Sequence, residues 1–123
     1  MVPTYIAASD VCVAPFTAER NLWSGVSPLK VYEYLACGRP IVVSAVPGTT
    51  QLIQEYGCGI AVPPGDAHAL AQAIERTLAE PSFRDAALRA SAAIRDRCSW
   101  DRTAAAVSEV LGAVTVRRVV AAL

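Results

Sequence analysis

Two periods organise the apolar positions of this chain. Residues 11–14, 41–43 and 59–62 form short apolar, β-branched-rich runs, too brief for helices, that read as buried parallel strands. Between and after them the spacing is helical. Residues 3–9 predict a short first helix and residues 28–37 a second. A third helix follows the loop at residues 47–50 and runs to about Glu55. Asp66 caps a fourth, whose expected inward face is Leu70, Ala73, Ile74, Thr77 and Leu78. Pro81 opens a fifth helix, and Ser99 caps a sixth from Trp100 to near Leu111. Residues 16–26 show no period and read as a loop. The order helix, strand, helix, strand, helix, strand and then three helices predicts an α/β fold with a parallel sheet flanked by helices. Three strands are few for that architecture, and with almost nothing before the first the sheet reads as cut on its amino side.

The stretch from Ser27 to Gly48 carries the most local information. Ser27 has the chemistry of an N-cap and Pro28 that of a first helical residue. Gly38 stands where a left-handed residue ends a helix, and the run 41–43 follows directly. A helix that opens after a strand-end loop presents N–H groups to an anion, and Lys30 lies in its first turn. Open α/β sheets bind ligands at such loops.

Composition narrows the function without supplying it. The chain has 123 residues, 54% apolar and 18% charged, enough for one domain. Eleven Lys and Arg offset eleven Asp and Glu, so no net field draws it to nucleic acid. The cysteines at 12, 37, 58 and 98 make no CxxC pair, and reduced, buried thiols are expected. No run reaches the length of a membrane span. The sequence reads as cytosolic, with any membrane contact left to another part of a larger polypeptide. Residues 1–112 form the predicted domain and residues 113–123 an apolar tail. GxGxxG is absent, which sets aside an ordinary dinucleotide-binding domain.

Four blocks in order, VPTYIAASDVCVAPF, SPLKVYEYLACGRPIVVSAVPGTTQLI, GCGIAVPPGDAHALAQAI and CSWDR, resemble the second half of the C-terminal Rossmann-like domain of group 1 glycosyltransferases, the retaining GT-B class, which implies a partial Rossmann-like parallel sheet. The resemblance implies a nucleotide-diphosphate sugar as donor, no cofactor and no metal. It also implies that Glu33 holds the ribose hydroxyls. Ser27, Leu29 and Lys30 at the helix start, with Gly48 and Thr49 in the next loop, are the remaining expected donor contacts. The family often places a second glutamate eight residues before the first, but here that position is Gly25. The next loop also departs, with Pro47-Gly48-Thr49-Thr50-Gln51 where the family has Gly-Gly-x-x-Glu. The basic residues that clamp the diphosphate, and the acceptor site, lie in the family outside the matching region. A missing amino-terminal domain or partner chain is therefore expected, as is self-association through an open sheet edge. The acceptor, whether glycan, lipid or small molecule, is not specified.

Each site residue also has a purely structural alternative. Glu33 can be a solvent-facing helix residue, Lys30 an exposed first-turn lysine, and Gly48 and Thr49 simply a turn. Tyr32, Tyr34 and Leu35 read as helix packing, Trp100 as core, and His68 as surface. Phe16 and Trp23 could each border the donor. Two functions stand: a glycosyltransferase or part of one, and a non-catalytic nucleotide-binding or interaction module.

Overall fold

The computed structural model describes the backbone of residues 2–121, with side chains described through Val114, Arg20 excepted. Three parallel strands, β1 (Cys12–Ala14), β2 (Ile41–Ser44) and β3 (Gly59–Val62), lie in the order β1-β2-β3. Cys12 pairs with Ile41, and Ile41 with Gly59, so the strands start level, and β1 stops one pair before the other two. All four residues of β2 are buried, as a central parallel strand covered on both faces requires. Helices α1 (Val2–Ala8), α2 (Ala18–Ser24), α3 (Leu29–Ala36) and α4 (Thr49–Tyr56) precede α5 (Ala67–Ala79), α6 (Pro81–Arg97) and α7 (Trp100–Ala121).

The main core lies on one face, where Val31 and Leu35 of α3 meet Ile41, Val43, Leu52 and Ile94. Tyr32 and Tyr34 pack against this cluster, as their spacing predicts. On the other face Val42 and Val62 meet Ala73 of α5. Gly59 has no room for a side chain, because a Cβ there would lie 1.8 Å from the Ile41 carbonyl oxygen. The four thiols are free. Burial pushes the Cys58 thiol up to about 11, so it stays neutral and packs as a small apolar group.

Several local expectations need correction. Residues 18–24 form α2, where no element is predicted. Leu22 and Trp23 are exposed, so this helix buries no stripe and leaves no period. It is held instead by its ends: Asn21 donates to the Thr17 carbonyl at 2.9 Å, and Gly25 turns the chain at φ 67°. Ser27 is not the cap of α3. Pro28 takes that position at ψ 78° with its ring buried, and no side chain caps the helix. Because Pro28 itself is outside helical space, the first helical residue is Leu29, and Ser27 lies one step before the cap. Trp100 is 77% exposed rather than core, Leu78 is exposed, and Cys98 is an exposed thiol. The last helix does not stop near Leu111 but continues to Ala121. Its side chains from 100 to 114 are exposed, and of the apolar tail expected at 113–123, residues 115–123 lie outside the described side chains.

The remaining caps follow their chemistry. Asp66 accepts from Ala69 N–H at 2.8 Å, Ser99 accepts from Arg102 N–H at 3.2 Å, and Gly57 closes α4 in the left-handed region. Urea denaturation should show Asp66→Ala losing about 1 kcal/mol. Ser27→Ala, with no cap bond to lose, should stay within about 0.5 kcal/mol of the parent.

Candidate functional site

Parallel strands send all their carboxyl ends to one side, and there the loops after Ala14, Ser44 and Val62 converge. The chain entering α3 joins them through one backbone bond, Val26 N–H to the Pro47 carbonyl at 3.0 Å. Gly48 makes this approach possible. Its φ is 98°, and a Cβ would sit 2.3 Å from the Val26 carbonyl oxygen. Its own N–H donates to Gln51 Oε1 at 2.6 Å, which starts α4. The gathered loops leave a small crevice of about 170 Å³, lined by Pro15, Ser44, Val62, Pro63, Asp66 and Leu70.

Ser44 ties two of these loops together. Its buried hydroxyl accepts from Phe16 N–H at 2.9 Å, and its carbonyl accepts from Thr49 Oγ1 at 2.7 Å. Thr49 Oγ1 also bonds the Val46 carbonyl at 2.9 Å. Thr49 is fully buried, so its hydroxyl holds the loop from beneath and does not face a ligand. Ser44 is not among the residues that the motifs single out. Its signal was a small hydroxyl residue closing an apolar run just before a loop.

The other expected residues are brought to the same end. Ser27, Leu29, Lys30 and Glu33 are all exposed on α3 or the segment entering it. Lys30 and Glu33 are three apart on one helix, hence neighbours on its surface. Lys30 Nζ stands 4.8 Å from the centroid of the half-buried Phe16 ring. Glu33 lines a groove of about 400 Å³ together with Leu29, Tyr32, Ile94, Arg95 and Trp100. The arrangement therefore offers a carboxylate acceptor, an ammonium donor and a helix N-terminus within one turn of α3. Trp23 is 94% exposed, and His68 is a surface residue.

Gly25 cannot be replaced by an acidic residue without rearrangement. Its φ is 67°, its N–H bonds the Asn21 carbonyl, and a Cβ would meet the Pro47 carbonyl oxygen at 3.2 Å.

The glycines separate conformation from crowding. Gly48→Ala combines positive φ with a backbone collision and should lose about 2–4 kcal/mol in chemical denaturation. Gly57→Ala, at φ 60° with nothing within 4 Å, should lose only about 1–2 kcal/mol.

Residues 1–80 match the family described as glycosyl transferases group 1. Over 113 residues the chain is 35% identical to a D-inositol 3-phosphate glycosyltransferase of Salinispora arenicola (strain CNS-205), covering 90% of this chain and 23% of that protein. Among solved structures it is similar to sucrose-phosphate synthase from Thermosynechococcus elongatus. The TM-score is 0.71 at 30% identity, over 92% of this chain and 27% of that one. The chain thus spans less than a third of the length of either relative.

Proposed function

This chain belongs to the group 1 glycosyltransferases, with the α/β fold of a GT-B enzyme, and from that premise we propose that it holds a nucleotide-diphosphate sugar for transfer. The observation that carries the reading is the exposed carboxylate of Glu33 beside Lys30 on the first turns of α3, at the carboxyl ends of the strands. Glu33 accepts from the two ribose hydroxyls. Lys30 and the start of α3, with Ser27 and Leu29, face the diphosphate, and Gly48 shapes the loop beside them.

The chemistry of this site is electrostatic. As the glycosidic bond to the diphosphate breaks, negative charge grows on the leaving oxygen. A lysine and a helix N-terminus stabilise that charge more than they stabilise the bound donor. Retention at the anomeric carbon, independence of metal and a cytosolic setting complete the proposal. With Gly25 in place of a second glutamate, contacts to the donor sugar come from outside position 25.

Nucleotide binding without turnover is the second reading. It rests on the 23% and 27% coverage of the two relatives, because transfer needs an acceptor positioned against the donor. A transfer assay on the purified chain, with and without a partner polypeptide that supplies the acceptor side, separates the two: turnover only with the partner supports transfer, and none in either arm leaves binding alone. The chain alone should bind nucleotide and transfer no sugar, and turnover by the chain alone would remove the binding-only reading.

The ribose assignment has its own test in calorimetry. Glu33→Ala should weaken nucleoside diphosphate binding by about 1.5–3 kcal/mol, and the loss should shrink for the dideoxyribose analogue. Equal losses for both ligands would take Glu33 out of the ribose role.

A further inference from the structure

Lys30 is the cation on the first turn of α3, yet a lysine side chain is long, rotamer-rich and free to wander when exposed. Here it does not stand alone. Its ammonium lies over the Phe16 ring at 4.8 Å, within the range where a ring quadrupole attracts a cation. The ring is itself fixed. Phe16 is half-buried against the main core, and its N–H is held by the Ser44 hydroxyl at 2.9 Å. Ser44 is the last residue of the buried central strand, so the ring's position is referred directly to the sheet. The same residue's carbonyl receives Thr49 Oγ1, which sets the neighbouring loop.

We propose that Phe16 is a positioning residue: its ring, anchored through Ser44, holds the Lys30 ammonium toward the donor's diphosphate. The inference rests on the reading of Lys30 as a diphosphate contact and adds what orients it. A ring beneath the ammonium occupies one side only, and Lys30 remains exposed, so its N–H groups stay available to phosphate oxygens. Holding the charge in place before the ligand arrives lowers the ordering cost of binding. The ring acts through lysine and touches no reacting atom.

The test is a double-mutant cycle in calorimetry on the full chain, with uridine and guanosine diphosphates each compared with the parent nucleoside. Phe16→Leu keeps apolar volume and removes the ring. It should weaken diphosphate binding about two- to fivefold and leave nucleoside binding unchanged. Phe16→Tyr keeps the ring and should bind as the parent does. In a Lys30→Ala background, Phe16→Leu should produce no further loss. Additive losses, or equal losses for nucleoside and diphosphate on Phe16→Leu, would overturn the positioning role while leaving Lys30 in place. If Lys30→Ala itself weakens both ligands alike, or no nucleotide binds, the diphosphate role of Lys30 and the positioning role of Phe16 fall together.

Discussion

Ser44 terminates the one strand that is buried along its whole length, and the geometry of the candidate site depends on its two hydrogen bonds. A hydroxyl buried without a partner would cost stability, so Ser44 must find a donor. It finds Phe16 N–H, which fixes the loop after β1. Its carbonyl, no longer needed by a continuing strand, takes the Thr49 hydroxyl and fixes the loop after β2. Both loops are thereby positioned relative to the sheet rather than to each other. The bond from Val26 to Pro47 then brings the start of α3 against this pair. Polar groups at a buried strand end thus do the work that packing does in the core.

Much of the fold was legible because its elements bury apolar surface. β1, β2 and β3 announce themselves as short apolar runs, and α3 and α5 as stripes that meet the two faces of the sheet. Asp66, Ser99 and Gly57 could be read from local chemistry alone, since caps depend on neighbours in sequence. What escaped were features without burial or without local cause. α2 hides no apolar face, and Trp100 is an aromatic that the rest of the described chain does not cover. The shift of the α3 cap from Ser27 to Pro28 is one residue of backbone geometry, finer than pattern resolves.

The candidate site divides in the same way. Glu33 and Lys30 were legible as a carboxylate and an amine on the first turns of a helix that follows a strand-end loop. Thr49 was legible as a loop residue, but its inward turn depends on Ser44, five positions earlier. The contact between Phe16 and Lys30 joins residues fourteen positions apart across a helix with no periodic pattern. Nothing in either neighbourhood predicts their meeting.

Gly25 carries a consequence for how such a site can change over time. A left-handed backbone at this position, pressed against the Pro47 carbonyl, makes the local conformation a record of the residue already there. A mutation to glutamate would arrive into a turn that disfavours any side chain, so its first effect would be a loss of stability. The Pro47–Gly48 turn would have to relax first, and that turn is in turn held by Val26. Positions 25, 26, 47 and 48 are therefore epistatically bound. A side chain at position 25 becomes tolerable only through concerted substitution at the Pro47–Gly48 turn.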